Sequence, residues 1–470
     1  MSEYPDSHRP PPPLPLPLPR ERSRAPESAP LPAARAAVPL RRVLAWGLWD
    51  WGSAAFNAVV TTFVFTIYLT GPDFGPDRTV EPELAWGLAG AGLVVALLAP
   101  ISGQRGDLTG HRKRWLAVNT GLVVALMLAM FFVEPAPAFL PLGIALVAAG
   151  SVFFEFASVN YNAMLAQVST PATIGRVSGL GWGMGYVGGI VLLIVVYAGL
   201  IQPDVGFFGV TGDDGLDVRV AMLIAGCWFA VFALPVLLIV PGNTRTSRPG
   251  GGGRGGMIAS YARLGRDIAA LWREERNLVR FLIASAVFRD GLASAFTFGG
   301  VLASTVFGFT PAEVIMFAVA SNVVAGAATI AVGALDDRLG PRTVILTSLA
   351  GLIVSGVVMF AFHDSGKPAF WAAGLAISLF VGPAQSASRS FLAREIPRGK
   401  EGEIFGLYAT TGRAVSFLAP TAFAIAVTLG GAPVFGIVGI VLVVCVGFAL
   451  MLVVHAPPRS TTSAAAESGR

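Results

Sequence analysis

The chain has 470 residues, of which 54% are hydrophobic and a further 56 are glycine, while charged residues make up only 13%. Soluble domains carry about 25% charged residues and cannot hide this much apolar surface, so a soluble fold is excluded. The net charge of +5 would suit a nucleic-acid partner, but the basic residues cluster between long apolar runs, where membrane proteins carry them for topology, and no nucleic-acid role is expected.

Residues 1–42 hold 12 of the 33 prolines, including Pro10 to Pro13 and alternating Leu-Pro from Leu14 to Pro19. Such a composition cannot build a core and is expected to form a disordered, extended cytoplasmic tail. Prolines interrupt its apolar residues, so it does not read as a signal peptide. Twelve apolar segments follow, each near the ~20 residues that cross a bilayer as a helix. They are 43–70, 84–104, 115–134, 138–168, 177–201, 218–240, 278–307, 311–335, 343–362, 369–395, 403–429 and 433–455. The expected fold class is therefore an all-α membrane protein with twelve transmembrane helices. Both cysteines, Cys227 and Cys445, fall inside apolar runs, which excludes a disulfide framework.

The longest connection, 241–277, divides the spans into six-helix bundles at 43–240 and 278–455, with a short tail at 456–470. Within this connection Ile258, Leu264, Ile268, Leu271 and Trp272 recur at helical spacing beside Arg263, Arg266 and Arg273. That pattern fits a helix lying on an anionic membrane face, and it fits equally a tether between halves. If the N-terminus is cytoplasmic, the tails and even-numbered loops hold 26 of the 33 basic residues and the opposite loops hold three, Arg78, Arg219 and Lys367. The positive-inside bias thus places both termini in the cytoplasm, most simply in the cell membrane.

The two halves echo one another. Gly103-x3-Asp107-x2-Gly110-x-Arg112 follows span two, and Gly333-x3-Asp337-x2-Gly340-x-Arg342 follows span eight with identical spacing. Asp50 with Phe56 in span one matches Asp290 with Phe296 in span seven, and Leu165-Ala166 matches Leu392-Ala393. A glycine pair permits a tight inner turn, while the Asp and Arg can make charge-assisted contacts to neighbouring helix ends and hold the cytoplasmic side closed. Span five carries glycines at 175, 179, 181, 183, 185, 188 and 189, a face suited to close approach between halves.

The repeated loop resembles the signature of the major facilitator superfamily, and that resemblance covers residues 43–455. Within it, Trp46 to Phe56, Phe153 to Leu165, Thr170 to Gly189, Gly382 to Pro397 and Phe405 to Pro420 resemble the vacuole-effluxer branch. The resemblance implies two pseudo-symmetric six-helix bundles and a substrate held near the midplane between them. It implies a gating role for Asp107, Arg112, Asp337 and Arg342, and a cavity lined by spans one, four, seven and ten. The best-known members of the branch export amino acids from the yeast vacuole.

An ionisable side chain at membrane depth is costly, and by default it faces a cavity or a partner. The candidates are Asp50, Glu155, Arg289, Asp290, Arg389 and Arg413, and all but Arg413 lie on the four spans that the resemblance assigns to the cavity. At 100° per residue, Asp50, Ser53, Asn57, Thr61 and Tyr68 share one stripe of span one. Glu155, Ser158 and Asn162 do so in span four, Asp290, Ser294 and Thr297 in span seven, and Gln385 with Arg389 in span ten. A charge-lined passage is the functional reading, and helix bracing is the alternative, favoured for Arg413.

No phosphate loop, H-E-x-x-H or G-x-S-x-G occurs, and the four histidines lack paired spacing. An enzyme, a metal site and an organic cofactor are therefore not expected. The sequence reads as a secondary transporter for a small polar solute, favouring an amino acid or similar zwitterion, with protons as the candidate coupling ion and the bilayer as its surroundings. Glu155, or failing it Asp50, would meet the substrate ammonium, and Arg389, or failing it Arg289, the carboxylate. An exporter of amphipathic compounds and a non-transporting sensor or scaffold are the alternatives.

Overall fold

The computed structural model describes residues 38–242, 257–397 and 399–456. The proline-rich tail up to Ala37, the Gly/Arg-rich start of the central connection and the C-terminal tail beyond Ala456 lie outside the described residues. Among the described residues twelve helices are long and apolar enough to cross a membrane, and there are no strands. Spans one to six are Leu40–Leu69, Thr79–Thr109, Arg112–Phe132, Pro137–Val168, Ile174–Ile201 and Asp213–Ile239. Spans seven to twelve are Arg276–Thr305, Glu313–Leu339, Pro341–Ala361, Lys367–Glu395, Glu401–Gly430 and Pro433–Leu452. A further helix, Met257–Glu274, precedes span seven and is called the linker helix below.

Spans one, four, five and eleven are interrupted where hydropathy gave a single run, span five by a π stretch at its end, Tyr197–Ile201. In span one a π-helical stretch, Phe56–Phe63, ends at Val64, whose N–H bonds to Val59 O five residues back. Each π turn holds one residue more than an α turn. The stripe predicted at 3.6 residues per turn is therefore offset beyond this stretch: Asn57, at its start, is exposed, while Tyr68, past its end, donates to Val133 O at 3.0 Å. Span four breaks at Met164. Span eleven breaks at Ser416 and Phe417, where Pro420 has no N–H to give and its ring crowds the carbonyl four residues earlier.

Aromatic stacking organises the core of the first half, with Trp49 and Trp46 at 4.2 and 4.5 Å from Tyr161 between ring centroids. Their indole N–H groups are satisfied by Thr120 Oγ1 and Tyr161 O. Phe281 stacks on Phe391 at 4.0 Å in the second half. The Phe56 and Phe296 echo is not kept in packing: Phe56 is buried against Phe154, while Phe296 is exposed.

The glycines of span five serve two neighbours. A Cβ at Gly179 would lie 2.6 Å from Thr329 O of span eight, and one at Gly188 would lie 2.5 Å from Trp51 O of span one. Span two approaches span eleven still more tightly, since a Cβ on Gly103 would fall 1.8 Å from Gly402 O. Both crossings sit in the parts of these spans nearest Leu40, Leu452 and the linker helix, on what is here named the terminal face; the opposite side is the far face.

Candidate functional site

At the terminal face the loop aspartates reach across the two halves. Asp107, at the end of span two, accepts the backbone N–H groups of Gly402 and Glu403 at 2.9 Å each, the first turn of span eleven. Arg112 donates to it at 2.7 Å and also meets Glu401. Asp337, at the end of span eight, accepts the N–H groups of Gly175 and Arg176 at 2.7 and 3.1 Å, the first turn of span five. Carboxylates at helix starts satisfy orphan donors and meet the positive end of the helix dipole. Each half thus caps a helix of the other, and the terminal face is closed.

The repeat is not carried through at its arginines. Arg342 donates to Val454 O and Leu452 O at the end of span twelve, the service that Lys113 gives Val240 O after span six. Arg394, which the loop pattern does not include, joins Asp337 at 3.0 Å and Asp336 at 3.3 Å, and Arg176 of span five stands 3.5 Å from Asp337. Gly110 and Gly340 have φ of +68° and +89°, so the second glycine of each motif makes the turn. Gly103 and Gly333 are instead places of close approach.

Above this gate lies a tier centred on Arg389. Its Nη1 donates to Asp50 Oδ2 at 3.1 Å and Asn162 Oδ1 at 3.2 Å, and its Nε and Nη2 donate to Ser178 Oγ and O at 3.0 and 2.6 Å. Tyr161 adds its hydroxyl to Asp50 at 2.9 Å, and the guanidinium lies 4.8 Å from the Trp46 ring. One side chain of the second half is therefore bound to spans one, four and five of the first. Gln385, a turn earlier in span ten, is half-buried, and its side chain makes no hydrogen bond among the described residues.

About 10 Å further toward the far face, seven residues of helix beyond Asn162, stands a second tier. Glu155 of span four is 3.6 Å from Arg413 of span eleven, and Arg413 is 45% exposed. Arg289 of span seven lies 3.8 Å from the Tyr408 ring and donates to Tyr408 O at 3.2 Å. A Cβ on Gly412, the neighbour of Arg413, would meet Arg289 at 3.4 Å. Arg413 thus meets Glu155 across the halves, while Arg289 is seated on Tyr408 of the same span as Arg413.

The family description Vacuole effluxer Atg22 like matches residues 91–464. The chain belongs to this family. The MFS-type transporter YxiO of Bacillus subtilis is 24% identical over 423 residues, covering 89% of this chain and 95% of that protein. Autophagy-related protein 22 of Cryptococcus neoformans is 26% identical over 282 residues, covering 55% of this chain and 48% of that protein, so the chain spans about half the length of this fungal relative. In fold, the proton:xylose symporter XylE superposes with a TM-score of 0.68 at 11% identity, over 89% of this chain and 95% of that one. The Atg22-like chain is thus a major facilitator transporter of two pseudo-symmetric six-helix bundles, and not an enzyme.

Within this Atg22-like fold, Asp290 makes no hydrogen bond or ion pair with either tier among the described residues. It is 7% exposed and accepts Ala419 N–H at 2.7 Å, capping the segment Leu418–Gly430 that begins after the break in span eleven. Asp50 and Asp290 are therefore equivalent in the repeat and different in what they touch. A helix cap of this kind is worth about 1 kcal/mol. Asp290→Ala is expected to lower stability by about that amount in reversible detergent unfolding and to leave ligand affinity unchanged. Lost affinity at unchanged stability would return Asp290 to the ligand site. Sequence reasoning passed over Tyr161, Ser178, Asp336 and Arg394. Each sits among apolar or loop residues, and its role comes only from a partner more than 50 positions away.

Proposed function

We propose that the chain carries a small carboxylate-bearing zwitterion, an amino acid being the favoured class, by alternating access between the two faces. The observation that supports this reading is the far tier, where Arg413 meets Glu155 across the halves and Arg289, seated on Tyr408, has no carboxylate within ion-pair range among the described residues. A substrate carboxylate supplies the missing negative charge, and its ammonium has Glu155 to meet. Arg289 takes the carboxylate in preference to Arg389, because Arg389 is already spent on Asp50, Asn162 and Ser178. Arginine suits the task, since its planar fork can hold a carboxylate through two parallel bonds. The Arg389 tier forms the floor of the site, and the aspartate caps form the gate below it. Glu155 is the candidate proton carrier, free to exchange its partner when substrate arrives. The basic residues on the terminal face favour a cytoplasmic orientation for both termini, in the cell membrane.

Binding of amino acids and their amides to purified protein, followed by calorimetry, tests this assignment. A charge-assisted hydrogen bond contributes about 1.5–3 kcal/mol, so the amide of a bound substrate is expected to lose roughly ten- to a hundred-fold in affinity. Arg289→Ala is expected to weaken the parent by a similar factor and to erase the difference between the two. Equal wild-type affinity for parent and amide would reject the carboxylate assignment.

A further inference from the structure

The linker helix takes no part in the gate or in either tier. It packs against span two of one half and span seven of the other, with Leu264 and Leu271 buried in the cluster that includes Ile101 and Leu278. Farther round the same apolar arc, by about 40° and 80° at 100° per residue, Ile268 and Trp272 are 42% and 61% exposed. Arg266 and Arg273 occupy the opposite side, and Arg276 and Arg280 continue into the first turns of span seven. All four arginines are exposed, and among the described residues none has a carboxylate within ion-pair range.

We infer that this helix is a docking surface for the anionic headgroup layer of the surrounding bilayer. The chain passes from the linker helix, ending at Glu274, into span seven, beginning at Arg276, with one residue between them. Trp272 and Arg276 are therefore held where a membrane-spanning segment leaves the hydrocarbon. Tryptophan is enriched at that level because its ring is apolar and its N–H needs a polar neighbour. An interfacial helix joins such an apolar edge to a basic face, and clustered arginines draw it to anionic lipid, whose phosphate charge zwitterionic lipid balances internally. A tether between halves would need neither an exposed tryptophan nor four unpaired cations beside it.

The test uses the full chain purified in neutral detergent, with thermal unfolding followed after addition of phosphatidylcholine, phosphatidylglycerol or glycerol 3-phosphate. A lipid that binds the folded state raises its apparent stability. Phosphatidylglycerol is expected to raise Tm by several degrees more than phosphatidylcholine. That increment is expected to shrink by at least half as added salt shortens the Debye length from about 10 Å at 0.1 M to about 3 Å at 1 M. The variant Arg266→Gln/Arg273→Gln/Arg276→Gln/Arg280→Gln is expected to match the wild type in phosphatidylcholine and to lose most of the increment. Retention of the full increment by this variant would overturn the inference, as would an equal increment from glycerol 3-phosphate, which would mark a free-anion site. A second measurement stands apart from folding of that variant: an environment-sensitive fluorophore on Trp272→Cys, in a background lacking Cys227 and Cys445. Its emission is expected to shift to the blue in phosphatidylglycerol nanodiscs relative to phosphatidylcholine ones. Water-like emission in both would overturn the inference.

Discussion

Arg389→Ala is expected to abolish transport in proteoliposomes, with a fall of at least a hundred-fold, and Arg389→Lys is expected to restore little of it. The alanine variant removes four hydrogen bonds at once and leaves Asp50 with the Tyr161 hydroxyl as its remaining donor. Stranding one member of a buried ion pair costs about 3–5 kcal/mol. Lysine keeps the charge but not the shape: a compact ammonium cannot lie over Trp46 while reaching Asp50, Asn162 and both oxygens of Ser178. Asp50→Asn is expected to be milder, and adding it to Arg389→Ala is expected to cost less than the sum of the two, because the stranded carboxylate is then gone. Strict additivity, or full activity with lysine, would show that the tier is a point charge and not a shaped latch.

The second large effect is expected at the gate. Replacing both Asp107 and Asp337 by asparagine removes the charge from the two contacts that join the halves at the terminal face. Each aspartate is almost fully buried, accepts two backbone N–H groups and faces an arginine. Taking a cap and a charge pair from both sites, at about 1.5–3 kcal/mol per charged hydrogen bond, is enough to reverse a conformational preference of a few kcal/mol. Spin labels at Arg114 and Arg338, both exposed on the terminal face and in opposite halves, read the result as a distance. The double variant is expected to show a longer distance than the wild type, and each single variant an intermediate population. An unchanged distance in the double variant would show that glycine packing alone keeps this face shut.

The parts of the molecule that were legible in the sequence are those written locally. The twelve spans follow from runs of apolar residues, and the aspartates at 107 and 337 from a spacing repeated in both halves. Partners chosen by tertiary packing were not legible. Arg394 does at Asp337 what Arg112 does at Asp107, yet it enters from span ten and has no counterpart in the loop motif. Tyr161 reads as one more core aromatic until its hydroxyl is seen on Asp50. The π stretch of span one leaves no mark in composition, and it offsets Tyr68 from the stripe of Asp50. Span eleven reads as one run over 403–429, and both its break before Pro420 and the identity of the cap, Asp290, follow only from the fold.

The glycine crossings have a consequence for the speed of closure. Long side chains that meet across an interface must be frozen as it forms, at a cost of up to about 2 kcal/mol for each arginine or lysine. Here backbone meets backbone at Gly103 and Gly402, and again at Gly179 and Gly333, where there are no rotamers to lose. Arg112 and Arg394 are held in part within their own halves, by Asp107 and Ala163 O and by Asp336 and Asp337, and Arg112 with Glu401 and Arg176 with Asp337 add guanidinium pairs across the seam. At these crossings the terminal face therefore shuts at little cost in side-chain entropy, and the two halves meet there as smooth bearings whose separation is opposed by the short bonds at the helix starts and, above them, by the Arg389 tier.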